Sequence, residues 1–248
     1  MKTNGNTLFI TGGTSGIGLG LALRFQEAGN TVIIGGRRTE LLEKIRAEHP
    51  AIDTVVLDVA SPESIQAAFE TVTSRHPDLN ALVNVAGIML PEDLKDPAHV
   101  STSEDIVTTN LLGTIRVTAL FTPFLLAQPD ASILTVSSGL AFVPLPLTPT
   151  YNATKAAVHS FTQSLRVQLA DTSVQVIELV PPAVQTALMG QDESGRGMPL
   201  DDYLSETMEL LGSQPEAEEI LVEQVKMLRF AEVNGKHAEI VAMLNGSH

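Results

Sequence analysis

The sequence predicts an α/β protein built on a doubly wound parallel sheet with helices on both faces. Six short apolar runs of strand length alternate with longer segments whose apolar residues recur at helical spacing. A glycine-rich turn joins the first strand to the first helix. The 248 residues are 44% hydrophobic and 18% charged, and no low-complexity, Gly/Ser-rich or Pro-rich linker divides them, so a single domain over residues 1–248 is expected.

Charge and composition exclude several classes of protein. The chain carries 15 basic and 29 acidic side chains, a net charge of −14 that repels nucleic acids and anionic membranes. Residues 1–46 are the exception, with six basic and three acidic side chains. Cysteine is absent, which removes disulfides and thiolate metal sites, and we predict no metal. Without a signal peptide or a run of 18 apolar residues, a cytoplasmic protein is expected.

The first strand, Leu8–Ile10, leads into the turn Thr11–Gly18. Three of its four glycines allow a tight turn, the close approach of a diphosphate and close packing of the next helix: Gly12, Gly16 and Gly18. That helix begins with unpaired N–H groups and the positive end of its dipole, which suit an anion. A glycine turn alone indicates only a tight loop, but between a strand and a helix it indicates a Rossmann-type dinucleotide site.

The second strand, Thr31–Ile34, ends in a basic pair, Arg37 and Arg38. Folds that take NAD place an acidic residue here for the ribose 2′-OH, whereas a 2′-phosphate favours arginine. The sequence therefore favours NADP(H) over NAD(H), with Arg37 as the preferred contact. The alternative is that both arginines are solvated residues at the start of a helix.

The next two strands end in polar residues. Thr54–Leu57 is followed by Asp58, and Ser61 with Pro62 caps the next helix. Strand Ala81–Val83 is followed by Asn84 and a loop. A long helix capped by Ser103 then carries Asn110, which by itself is most simply a structural hydrogen-bonding residue.

The fifth and sixth strands complete the predicted sheet. Ser132–Val136 is followed by Ser138, and Val174–Val180 stops at Pro181-Pro182. Asn84, Ser138 and Pro181 thus all follow strands. Because ligands of open parallel sheets bind at the carboxyl ends of the strands, these residues mark the rim of a predicted crevice.

Tyr151 and Lys155 lie four residues apart on a predicted helix and share one face. An ammonium about 4 Å from a phenol contributes roughly 4 kcal/mol at an effective dielectric near 20, enough to lower its pKa by about three units before burial opposes the effect. Ser138 could hold a carbonyl oxygen while Tyr151 donates the proton. The alternative is an accidental surface pair.

Together these motifs resemble the short-chain dehydrogenase/reductase family. Its T-G-x-x-x-G-x-G turn matches Thr11–Gly18, its Y-x-x-x-K matches Tyr151 and Lys155, and its serine thirteen residues before the tyrosine matches Ser138. The helix asparagine of the family matches Asn110. The likeness covers about residues 5–190 and implies an NADP(H)-dependent enzyme with Asn110, Ser138, Tyr151 and Lys155 as catalytic residues.

The resemblance also implies which residues bind the cofactor. Lys155 would hold the nicotinamide ribose and support a water-linked proton relay with Asn110, while Asp58 and Val59 would bracket the adenine. The full implied set is Gly12, Thr14, Ser15, Gly16, Ile17, Gly18, Arg37, Arg38, Asp58, Val59, Asn84, Ala86, Gly87, Tyr151, Lys155, Pro181, Val184 and Thr186.

The chain departs from the family pattern in three places. Val85 replaces the second asparagine of N-N-A-G. Pro182 replaces the glycine after the sixth strand, which puts the route of the following loop in doubt. The seventh strand is not recognisable, and the end of the chain predicts a helical tail over about 215–248, with a helix from Pro215 to Phe230.

Without that strand, the resemblance implies a homodimer through the helices carrying Asn110 and Tyr151 rather than a tetramer. A substrate-side lid is predicted over about 185–212. Its apolar residues suit a small hydrophobic carbonyl or alcohol, although such a set is also typical of plain core: Leu188, Met189, Met198, Leu200, Tyr203, Leu204 and Met208, facing Leu140 and Phe142.

Two classes of function remain open. The first is an NADP(H)-dependent carbonyl reductase that also runs as an alcohol dehydrogenase. The second is an NADP(H)-binding sensor or partner-binding protein with little turnover. The four matching catalytic residue types favour the enzyme.

Overall fold

A computed structural model describes residues 1–190 and 197–246. Within them, seven parallel strands form one sheet in the order β3-β2-β1-β4-β5-β6-β7. The strands are β1 Thr7–Thr11, β2 Thr31–Gly36, β3 Ile52–Val56, β4 Ala81–Asn84, β5 Ala131–Val136, β6 Val174–Leu179 and β7 Glu219–Ile220. The predicted doubly wound parallel sheet is confirmed.

Helices cover both faces of this sheet. They are α1 Gly16–Glu27, α2 Thr39–Glu48, α3 Pro62–Arg75, α4 His99–Ile106, α5 Gly113–Leu126, α6 Pro149–Gln168, α7 Leu200–Ser213, α8 Glu223–Arg229 and α9 His237–Leu244. A π-helical turn, Val107–Leu112, joins α4 to α5, so the predicted long helix is one continuous stretch. It begins at His99, so Ser103 lies inside it rather than at its cap.

Alternation along the strands builds two cores. In β1, Leu8 and Ile10 join the core that also contains residues of α1 and α7, whereas Phe9 joins the core under α3 and α5. Phe9 stacks on Phe121 of α5 with ring centroids 5.3 Å apart. Burial on both faces explains why the central strands read as continuous apolar runs.

The chain crosses to opposite sides of the sheet at β1, which lies between β2 and β4. Open α/β sheets form their ligand crevice at such a switch point, at the carboxyl ends of the strands. The glycine turn after β1 and the loops after β4, β5 and β6 therefore meet around one crevice.

The expectation of a helix from Pro215 to Phe230 is wrong. Glu219 and Ile220 form β7, which pairs with β6 in the register Glu178↔Glu219, and α8 begins only at Glu223. A strand of two residues is too short to show an alternating pattern, whereas the apolar residues of α8 dominate the segment. The argument for a dimer over a tetramer rested on the missing strand and loses that premise, so the homodimer stays a prediction.

Helix α7 is a core element rather than a mobile cover over the crevice. Tyr203, Leu204 and Leu211 are buried, and a Cβ on Gly20 of α1 would lie 2.3 Å from Leu204 Cδ1. The lid residues on this helix therefore belong to the core, which is the alternative that the sequence left open. Positions 191–196 of the predicted lid lie outside the described residues.

The stretch His99–Leu126 is long and apolar enough to span a membrane by length and composition, with 44% of its most apolar window buried. Core helices pass the same test. Here Val117, Phe121 and Leu125 pack in the core under α3 and α5, which accounts for the apolar character.

Candidate active site

A cavity of about 470 Å³ opens at the carboxyl ends of the central strands. It brings together most of the predicted site: Gly12, Ser15, Gly16, Ile17, Gly18, Arg37, Arg38, Ala86, Gly87, Ser138, Tyr151, Lys155, Pro181, Val184 and Thr186. Five predicted residues do not line it: Thr14, Asp58, Val59, Asn84 and Asn110.

The glycine turn forms the floor of this cavity at one end. Gly12 and Gly16 have φ values of 69° and 52°, and a Cβ on Gly12 would lie 2.7 Å from Ala86 Cα. A Cβ on Gly18 would lie 2.3 Å from Gly12 O. Ser15 at the N-cap of α1 makes no side-chain cap bond, so the first N–H groups of the helix face an anion site. This backbone cradle fits a dinucleotide diphosphate.

Arg37 and Arg38 are exposed at the same end of the cavity. The Arg38 guanidinium donates to Thr14 Oγ1 and Ser15 Oγ, each at 3.1 Å. Thr14, although it does not line the cavity, thus fixes a cation beside the diphosphate cradle.

The other residues away from the cavity wall have structural contacts. Asp58 Oδ1 accepts a hydrogen bond from Ala60 N at 3.0 Å. Val59 packs against Gly113, where an added Cβ would lie only 2.9 Å from Val59 Cγ2. Asn84 donates to Thr118 Oγ1 at 3.1 Å, and among the described residues its buried Oδ1 has no partner. The cofactor roles of Asp58, Val59 and Asn84 stay predictions.

At the other end of the cavity, α6 places Tyr151 and Lys155 one turn apart. The Lys155 ammonium lies 5.6 Å from the centroid of the Tyr151 ring and donates to Val136 O, the last residue of β5, at 2.8 Å. Both side chains are buried. Ser138, two residues beyond Val136, accepts from Leu140 N at 3.1 Å through its hydroxyl.

Asn110 lies in the π-helical turn, a local irregularity that is frequent at functional sites. Its side chain bonds both backbone groups of Ile88 at 2.8 Å and donates to Thr154 Oγ1 at 3.3 Å. Gly87, which lines the cavity, lies between Asn110 and Lys155. A Cβ on Gly87 would lie 3.3 Å from Asn110 Oδ1 and 3.8 Å from Lys155 Nζ. Asn110 thus lies behind the wall and braces it.

The expected lowering of the tyrosine pKa is wrong for the protein without cofactor. Burial raises the pKa of Tyr151 to about 12, opposed by its hydrogen bond with Ser138. Burial also lowers the pKa of Lys155 to about 8, opposed by the Glu178 carboxylate. Loss of solvation, whose size a spacing in the sequence does not reveal, is therefore the largest cause of both pKa changes.

The loop after β6 keeps its residues at the cavity despite Pro182. Pro181 O accepts from Gly139 N at 2.9 Å, and Val184 forms a parallel bridge with Met198. Thr186 packs above the glycine turn, since a Cβ on Gly16 would lie 3.3 Å from Thr186 Cγ2.

Part of the apolar wall comes from a region that sequence reasoning did not connect with the site. Leu228 of α8 and Leu244 of α9 line the cavity together with Leu140, Leu188, Met89 and Leu145. The apolar spacing of α8 and α9 predicts helices but not the surface they cover. The predicted lid residues Met189 and Met198, and Phe142 of the predicted facing wall, pack beside the cavity wall or in the core.

Comparison with known proteins adds a family relationship. The model of the short chain dehydrogenase family matches residues 6–197. The chain is 43% identical over 237 residues to the uncharacterized oxidoreductase DltE of Bacillus subtilis, covering 93% of each chain.

Two solved structures are similar in fold. One is 3-ketoacyl-(acyl-carrier-protein) reductase from Brucella melitensis with NADH, with a TM-score of 0.77, 30% identity and coverage of 87% of this chain and 93% of the other. The second is the closed form of serine dehydrogenase with NADP+, with a TM-score of 0.77, 26% identity and coverage of 86% and 92%.

Proposed function

The chain belongs to the short-chain dehydrogenase/reductase family, and from that premise we propose that it is an NADP(H)-dependent enzyme interconverting a carbonyl and its alcohol. The observation that carries the proposal is one cavity with a glycine cradle at one end and Ser138, Tyr151 and Lys155 at the other. A bound nicotinamide cofactor supplies or accepts hydride at such a site.

Each residue has a role in the proposed reaction. Ser138 donates a hydrogen bond to the carbonyl oxygen, and Tyr151 transfers the proton to that oxygen during reduction. Lys155, held by Val136 O, supplies positive charge beside the phenolate that forms. Asn110 fixes the backbone at Ile88 and so holds the wall next to the lysine.

A cofactor with a 2′-phosphate is supported by Arg37 and Arg38 at the diphosphate end of the cavity. One of the similar solved structures holds NADH and the other holds NADP+. The preference of this chain for a cofactor with or without the 2′-phosphate therefore has to be measured. Fluorescence titration with NADPH and NADH answers it, and equal affinity would contradict the preference.

The proposed substrate is a small hydrophobic carbonyl compound or alcohol. Its support is the leucine-rich wall formed by Leu140, Leu188, Leu228 and Leu244. A panel of ketones and aldehydes of increasing chain length, followed by NADPH absorbance, tests turnover and preference together. Tight NADPH binding without turnover on any of them would favour the sensor instead.

A further inference from the structure

A charged cluster lies directly behind the proposed catalytic lysine. Helix α6 presents His159 one turn after Lys155, and His159 Nδ1 lies 2.8 and 3.0 Å from the two oxygens of Glu178. The Glu178 side chain is fully buried on β6, the strand next to the edge strand β7. A buried carboxylate has to be balanced by nearby cations or donors, so this one requires an explanation.

The strand register places Glu178 next to the lysine's anchor. Glu178 pairs with Thr135, and the following residue, Leu179, pairs with Val136, whose carbonyl oxygen holds Lys155 Nζ at 2.8 Å. Since neighbouring strands are about 5 Å apart, the carboxylate and the ammonium share one buried region beneath α6.

Several other charged side chains surround Glu178. Arg229 of α8 donates from Nε and Nη2 to the two carboxylate oxygens of Glu219 on β7, at 2.7 and 2.9 Å. Arg166 of α6 lies 3.4 Å from Glu218. Arg229 is paired with Glu219 but also interacts with the charge of Glu178, so Lys155 and Arg229 are the cations near Glu178 and His159 is its hydrogen-bond partner.

We propose that Glu178, held in place by His159, is a positioning residue that keeps the Lys155 ammonium charged inside the active site. The inference rests on the proposed function, because it gives Lys155 a task that needs the charge. Burial lowers the pKa of Lys155 to about 8 even though the charge of Glu178 acts in the opposite direction. Without that carboxylate the lysine would lose its proton close to neutral pH, and Tyr151 would lose its positive neighbour.

Binding of a metal ion is an alternative role for the residues of this cluster. Ligand atoms of His159, Glu178 and Glu219 lie within 4.8 Å of one another. A metal would have to displace Arg229 from Glu219 and the imidazole from Glu178, so the existing ion pairs favour the positioning role.

Direct titration of Lys155 tests the proposal without any substrate. The chain has six lysines, so protein labelled with [ε-13C]lysine gives a small set of NMR signals, and Lys155→Arg identifies the one of interest. We expect Glu178→Gln to lower the pKa of Lys155 by about one unit or more, since it removes an opposite charge nearby. Glu178→Asp restores most of the wild-type value, and the matched control Glu219→Gln leaves it unchanged.

The result that overturns the proposal is a folded Glu178→Gln protein in which Lys155 titrates as in the wild type. If this variant does not fold, Glu178→Gln with His159→Gln replaces the hydrogen-bonded pair by two neutral amides, and the same criterion applies. Absence of turnover in the wild-type protein would refute the proposed function but would not change the pKa of Lys155 measured by NMR. With an active substrate, the loss of kcat/KM as pH rises begins at lower pH in Glu178→Gln.

Discussion

A buried phenol whose pKa is raised to about 12 stays protonated through the neutral range, which suits a proton donor in carbonyl reduction. The same burial makes the phenolate costly once the proton has left. The ammonium of Lys155 and the hydroxyl of Ser138 are the groups near the ring that stabilise it. At the residue scale, the proposed catalysis therefore depends on the charge of Lys155 more than on a permanently acidic tyrosine.

Tyr151→Phe removes the proton donor but keeps the ring and its packing. We expect kcat to fall by about 10²- to 10⁴-fold, the usual contribution of a positioned general acid. NADPH affinity, measured by fluorescence titration, should change little. Phe124→Leu is the matched aromatic control, because Phe124 packs on Phe69 and does not line the cavity. Retained turnover in Tyr151→Phe would mean that another group donates the proton.

Arg37 and Arg38 are the proposed determinants of the cofactor preference. A hydrogen bond to a charged group contributes about 1.5–3 kcal/mol, so loss of the arginine that contacts a 2′-phosphate should weaken NADPH binding about 10-fold or more. We expect this effect in Arg37→Ala, Arg38→Ala or both, with NADH affinity unchanged. Arg46→Ala, on the exposed side of α2, is the control and should bind both cofactors as the wild type does. Equal losses for NADPH and NADH would contradict recognition of the phosphate.

At the scale of elements, the C-terminal helices α8 and α9 build part of the cavity wall. Leu228 of α8 packs with Val143, Ala231 and Ile240 in a small core of its own, and this core places Leu244 of α9 at the cavity. β7 anchors the same segment to the edge of the sheet. This part of the cavity wall is therefore held from two sides, by the sheet and by the small core around Leu228.

Leu244→Ala opens this wall without disturbing the main core, because Leu244 is only partly buried. Contacts with a few methylenes contribute about 1–3 kcal/mol, so we expect kcat/KM for long-chain carbonyls to fall about 10-fold and for the shortest ones to change little. Met243→Ala, at a residue that is 53% exposed, is the matched control. An equal loss for short and long substrates would show that α9 does not line the substrate site.

At the scale of the whole molecule, local patterns predicted six of the seven described strands and most of the residues that meet at the cavity, whereas long-range packing decided the rest. Continuous apolar runs and the glycine turn predicted six strands correctly, and the spacing of Tyr151 and Lys155 placed them on one helix face. Glu178 and His159 belong to no motif and meet only through tertiary packing. β7 is stabilised by its neighbour β6 rather than by its own two residues.

The burial of Lys155 also predicts how the stability of the whole molecule depends on pH. Its pKa is lowered to about 8 in the folded protein, so between about pH 8 and its ordinary value the unfolded chain binds the proton more strongly. Its contribution to the free energy of unfolding therefore rises with pH, by about 2 kcal/mol from about pH 7 to pH 9.5. The raised pKa of Tyr151 acts in the opposite direction, but only above about pH 10.

Urea unfolding of the wild type and of Lys155→Met at both pH values isolates this contribution, because groups other than Lys155 largely cancel in the difference. We expect Lys155→Met to lack the rise, so that the wild type gains about 2 kcal/mol relative to it at the higher pH. Lys95→Met, at an exposed lysine, should keep the wild-type dependence. A constant difference between the wild type and Lys155→Met would mean that the lysine keeps its ordinary pKa, and that the Glu178 carboxylate fully offsets its burial.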